Sequence, residues 1–140
     1  MALTMTETEN QGVTILKLIG RLTMGPEDIT FKTILDRCIS CGKLRIILDC
    51  SRLEDIDSLG IGDFIGYQGK LHHLAGRLVL LKLSQRHMKL FMAFELDSAL
   101  EMFTNLEDAI DSFFPDRDVK HYDILQFIEQ QEGRRHPQVP

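Results

Sequence analysis

The chain has 140 residues, enough for one domain and short for two of ordinary size. Hydrophobic residues make up 44% and charged residues 26%, the mix of an ordinary globule, and a chain this long buries enough surface to fold without a disulfide or a metal. With 21 acidic against 16 basic residues the net charge is -5, which sets aside nucleic acid as the default partner because such binders carry a basic stripe.

Asn10-Gln11-Gly12 reads as a turn between a thin strand over Thr4 to Glu9 and a stronger one over Val13 to Ile19, which Gly20 ends. Gly25-Pro26-Glu27-Asp28 is a helix start: proline suits the first helical position and acids suit the positive end of the dipole. Phe31, Ile34, Leu35 and Cys38 follow at helical spacing, and Gly42 stops the helix. Leu44 to Leu48 and Arg77 to Leu83 are short apolar runs of the kind covered on both faces, with a helix from about Ser58 to Ala75 between them. Ser84 reads as the N-cap of a helix carrying His87, Leu90, Phe91 and Phe94 on one face. A brief strand at Met102-Phe103 precedes Thr104-x-x-Glu107, a capping box that opens a helix to Phe114.

Strands alternating with helices predict an α/β domain with a parallel component in its sheet. The domain is expected to span 1–114. Residues 115–140 form an extension, with a helix over 116–131 and a disordered end. Val119, Tyr122, Leu125 and Ile128 make one stripe on that helix, which either folds back on the domain, builds a homodimer or docks a partner. No apolar run approaches the roughly 20 residues that span a bilayer, so direct membrane insertion is not expected. Met1 to Glu7 lacks the basic and apolar regions of a signal peptide, and the cysteines (Cys38, Cys41, Cys50) are too few for a secreted disulfide framework. The expected location is cytoplasmic.

One segment resists an ordinary reading. In the helix after Ile56, the apolar Ile61, Phe64, Ile65 and Leu71 keep helical spacing, yet Gly60, Gly62, Gly66 and Gly69 lie among them. Each glycine costs about 1 kcal/mol against alanine, so the helix carries roughly 3 to 4 kcal/mol of penalty. A backbone that another element or a partner approaches closely offsets it. Asp57 and Ser58 stand at the helix start, where free N–H groups and the dipole favour negative charge. The plain alternative is that they only cap the helix.

At these residues the sequence resembles the STAS domain family, named for sulfate transporters and anti-sigma factor antagonists. The likeness covers about residues 10 to 114. It rests on the Gly20-Arg21-Leu22 corner, on Leu48-Asp49-Cys50-Ser51-x-Leu53, and above all on Asp57-Ser58-x-Gly60-Ile61-Gly62, which is similar to the family's phosphorylation motif. The resemblance implies a STAS-like mixed sheet of about four to five strands with helices packed on it, plus the C-terminal helical extension. It also implies an anti-sigma factor antagonist that binds an anti-sigma factor serine kinase and is released by phosphorylation at Ser58. A serine phosphatase resets it. The implied partner-binding residues are Thr23, Asp57, Ser58, Leu59, Gly60, Ile61, Gly62, Asp63, Ile65 and Gly66. Leu59 replaces a small or hydroxyl residue, Asp63 an apolar one and Thr23 a frequent acid. The other reading is an unphosphorylated scaffold subunit of a signalling complex or of a transporter's ATPase assembly.

Enzymatic readings are poor. Ser58 lacks the glycine two residues earlier that a hydrolase elbow needs, and neither a phosphate-binding loop nor a dinucleotide fingerprint is present. Cys38-Ile39-Ser40-Cys41 falls at the end of a helix, where the dipole does not lower a thiol pKa, and one such pair is a weak zinc signal. His72 and His73 point about 100° apart, one half-covered and one exposed, which does not suit one metal. No catalytic residue, metal or cofactor is expected.

Overall fold

The computed structural model describes residues 2–96 and 98–117. Five strands, β1 (Thr4–Asn10), β2 (Val13–Leu22), β3 (Arg45–Ile56), β4 (Arg77–Leu81) and β5 (Met102–Phe103), lie in one sheet in chain order. β1 and β2 are antiparallel, and every later neighbour is parallel. Each parallel step is bridged by a helix: α1 (Pro26–Ser40), α2 (Ser58–His73) and α3 (Gln85–Ala93); α4 (Leu106–Asp111) follows β5. This is the mixed five-stranded α/β fold that the sequence implied.

The period-2 alternation of the strands builds two cores. Leu16, Leu18, Ile46, Leu48, Leu78 and Leu80 face one side, packed under Phe31 of α1, Phe64 of α2 and Phe91 of α3. Val13, Ile15, Ile47, Val79 and Leu81 face the other, covered by Ala109 and Ile110 of α4. The aromatic rings meet across the helices in tilted pairs, with Phe31 and Phe64 centroids 5.6 Å apart and Phe64 and Phe91 6.4 Å apart. Such pairs contribute beyond their buried area.

Several boundaries move. Gly20 does not end β2; the strand runs on to Leu22 through a register slip beside Gly20, whose φ of +110 and whose absent Cβ (it would stand 2.3 Å from the Ala2 carbonyl oxygen) require glycine. β3 continues eight residues past Leu48, to Ile56. Arg77 to Leu83 shortens to Leu81 because Lys82 takes a positive φ. Ser84 does cap α3, accepting from the His87 N–H at 3.1 Å, but Phe94 is the C-cap residue and is exposed rather than on the buried face. α4 is capped by Asn105, not Thr104: its Oδ1 accepts from the Asp108 N–H at 2.9 Å. α4 stops at Asp111, and turns carry the chain to Phe114. Of the helix expected over 116–131, residues 116 and 117 lie in a turn and bend; the rest of it, with its stripe and the end beyond, lies outside the described residues.

Candidate partner-binding site

Leu22 and Ile56 are register partners at the carboxyl ends of β2 and β3, and the chain leaves the sheet at both. Thr23 and Met24 lead into α1, and Asp57 and Ser58 into α2. β3 pairs with β4 only through Asp49, so the last part of β2 and β3 runs on as a two-stranded ribbon that carries the start of α2.

Asp57 holds this corner together. It is the N-cap of α2 in an extended conformation, and its Oδ1 accepts from the Gly60 N–H at 3.0 Å. Its Oδ2 accepts from the Met24 N–H at 2.8 Å, and its own N–H donates to the Leu22 carbonyl at 3.3 Å. One carboxylate therefore caps the helix and pins the loop that opens α1. Gly60 seats the first turn: a Cβ there would lie 2.7 Å from both the Leu22 carbonyl oxygen and Ile56 Cγ1.

Ser58 follows as the first residue of α2 and is exposed. Its backbone N–H is among those that a helix start leaves without helical partners. Large apolar side chains stand open to solvent on the adjoining segments: Leu59 is 38% exposed, Met24 77% and Ile29 66%. Along α2, Ser58, Gly62, Gly66 and Gly69 recur on one face at spacings of four, four and three. The three glycines are exposed, and no atom lies within 4 Å of where a Cβ would stand. The penalty expected from four glycines thus has two sources: Gly60 fills an internal need, whereas the others leave bare backbone facing outward.

The expected partner residues divide accordingly. Ser58, Leu59, Gly62 and Gly66 are exposed, and Thr23, Asp57 and Ile65 are half-buried. Gly60, Ile61 and Asp63 are buried, so of the expected partner residues these three do not lie on the exposed face. Asp63 is turned toward α1, where it meets Asp28 within hydrogen-bonding reach and Lys32, whose Nζ lies 3.8 Å from its Oδ1. Burial, with Asp28 beside it, raises its pKa to about 7. Of the carboxylates within five residues of Ser58, Glu54 is exposed, Asp55 and Asp57 are half-buried, and Asp63 is withdrawn.

The STAS domain family model matches residues 4–109. The chain belongs to the STAS domain family. No curated protein matches it in sequence. Among solved structures, unphosphorylated SpoIIAA, an anti-sigma factor antagonist, is similar with a TM-score of 0.62 and 23% identity over 83% of this chain and 100% of its own. The phosphorylated form of SpoIIAA, a Bacillus cell fate determinant, gives 0.60 and 26% over 80% and 99%. An anti-sigma factor antagonist from Mycobacterium paratuberculosis gives 0.68 and 15% over 79% and 93%. At these identities the likeness is one of fold.

Sequence reasoning missed Met24, Ile29 and Asp28. Ile29 lies out of phase with the Phe31, Leu35 and Cys38 face, a signal that was available. Met24 joins the site through a backbone hydrogen bond to a residue 33 positions away, which no local pattern encodes. Elsewhere, His72 and His73 are both exposed rather than one half-covered. Cys38 is a core residue whose thiol is pushed up by burial, and Cys41 is exposed. A cleft of about 410 Å³, lined by Glu9, Lys43, Arg45 and Leu74 among others, sits at the far end of β3 and includes none of the expected site residues. Among the described residues no group of three or more His, Cys, Asp or Glu is arranged to hold a metal, and no helix is long and apolar enough to cross a membrane.

Proposed function

We propose that this STAS domain is a non-enzymatic anti-sigma factor antagonist in the cytoplasm, which binds an anti-sigma factor serine kinase while Ser58 is unmodified and lets go when Ser58 is phosphorylated. A serine phosphatase then restores it. The proposal takes 1–114 as the binding domain and 115–140 as an appended extension. The observation that carries it is the exposed Ser58 on the first turn of α2, at the head of a bare glycine face, next to the open Leu59 and the Met24 loop that Asp57 pins.

The physics of such a switch is local. Phosphorylation adds about -1.5 to -2 charges. The helix start tolerates that charge, since its N–H groups and dipole attract an anion. A partner packed over Leu59 and the glycines would have to desolvate the phosphate beside Asp57, Asp55 and Glu54, which opposes binding without any refolding.

With the kinase partner, calorimetry is expected to show Ser58→Ala binding like the unmodified protein and Ser58→Glu binding at least about tenfold more weakly, a difference of about 1.4 kcal/mol. Equal affinities would overturn the switch. A second variant probes the face itself. Gly62→Leu has open space for its side chain, so circular dichroism should stay unchanged while binding is lost. Retained binding would move the interface off this helix.

A further inference from the structure

Asp28 of α1 and Asp63 of α2 are each only 8% exposed. The two side chains interact, and Asp28 Oδ1 and Asp63 Oδ2 are buried without a hydrogen-bond partner. Lys32 lies 3.1 Å from Asp28 Oδ2 and 3.8 Å from Asp63 Oδ1. One cation thus faces two buried carboxyls, and two ionised carboxylates gathered at one lysine would repel strongly in a poorly solvated site.

We propose that Asp28 and Asp63 hold a single proton between them, and that this proton latches the first turn of α1 to α2. Asp63 carries the proton and donates it to the Asp28 carboxylate, so both orphaned oxygens are satisfied together. Their pKa values are pushed apart, as a shared proton requires: the Asp63 hydrogen bond lowers Asp28, and burial raises Asp63 to about 7.

The neighbouring groups leave the latch in place. From α1, Lys32 favours ionisation of both acids, and Asp36 is occupied elsewhere, accepting from the Tyr67 hydroxyl at 2.8 Å and pairing with Lys70 at 3.5 Å. From α2, the Asp57 charge pushes Asp63 further up, and Tyr67 stays neutral because burial raises its pKa. Asp28 lies in the first turn of α1, next to Ile29 and four residues after Met24, and Asp63 lies five residues after Ser58. The latch therefore sets how closely the two exposed apolar edges stand. Only this last consequence rests on the proposed partner face; the shared proton does not.

The sign follows from the raised pKa. A carboxyl that binds its proton more tightly folded than unfolded adds stability that is complete below about 3.8 and is lost as the pH climbs to about 7. The lowered Asp28 acts oppositely, its contribution being lost in acid. Asp63→Asn replaces the shared proton with a permanent amide donor. Between pH 5.5 and 8.5, the unfolding constant of the wild type, taken relative to Asp63→Asn, is expected to rise up to about 30-fold. Taking the ratio cancels the titrating groups that Asp63 does not touch, and Asp28, held low, stays ionised across this range. Carbon-13 NMR of the wild type should show the Asp63 carboxyl titrating near 7. A ratio independent of pH, or both carboxyls titrating below pH 5, would overturn the latch. If Asp63→Asn fails to fold, the wild-type titration decides alone. Neither readout involves Ser58 or the kinase, so failure of the latch and failure of the proposed switch are distinguishable.

Discussion

Gly60→Ala is expected to destabilise the domain by about 3 kcal/mol in a urea titration, even though alanine is the better helix former by about 1 kcal/mol. The added methyl would stand 2.7 Å from the Leu22 carbonyl oxygen and from Ile56 Cγ1, and 3.0 Å from Leu22 Cγ. A carbonyl at the end of a paired strand cannot move aside cheaply, and this one also accepts the Asp57 N–H. The first turn of α2 would have to lift, opening the buried contacts of Ile61 and Phe64 behind it. The same substitution at Gly62, Gly66 or Gly69 meets no atom within 4 Å, so each is expected to gain up to about 1 kcal/mol from propensity and reduced freedom of the unfolded chain. Opposite signs within one helix are the test. A neutral Gly60→Ala would mean that α2 does not sit on the strand ends as described.

Asp57→Ala removes two charge-assisted hydrogen bonds, to the N–H groups of Gly60 and Met24, and is expected to cost about 2 kcal/mol. Water compensates part of the loss, because the bond to Met24 lies at the surface. The loss has a local signature. Amide exchange at Met24 and Gly60 should accelerate more than exchange in β4, since the corner frays before the sheet does. Asp57→Asn keeps one acceptor oxygen for the helix cap but cannot serve both donors, so about half the loss is expected. Equal exchange at the two amides in wild type and Asp57→Ala would remove Asp57 as the residue that joins the loop to the helix.

Much of this architecture was legible in the chain. The apolar runs of Val13 to Ile19 and Leu78 to Leu81, the Gly25-Pro26 start and the Ser84 cap are local signals, and the packing reinforces each one. The end of β3 was not legible. After Asp49 its buried residues are Cys50, Leu53 and Ile56, at a spacing of three, because register slips against β2 break the two-residue alternation and polar residues fill the positions that β4 no longer covers. Gly20 misled for a related reason: a glycine that looks like a stop is here a kink within a continuing strand. At the site, the Asp57-Ser58 pair and its glycines could be read directly. The division of those glycines could not, since Gly60 owes its necessity to a carbonyl 38 positions earlier. Nor could the burial of Asp63, an acid on a helix flank that ordinarily faces water; it depends on Asp28 and Lys32 of another helix.

The outward strip formed by Gly62, Gly66 and Gly69 has a kinetic meaning. Main chain without side chains has no rotamers to immobilise when something settles on it, and neighbouring backbones can come nearer than the usual 8 to 10 Å between helix axes. Attraction over so short a range is gained without slow rearrangement and disappears after a small displacement. Such a surface favours rapid exchange of occupants over tenacious grip, as the proposed switch would require.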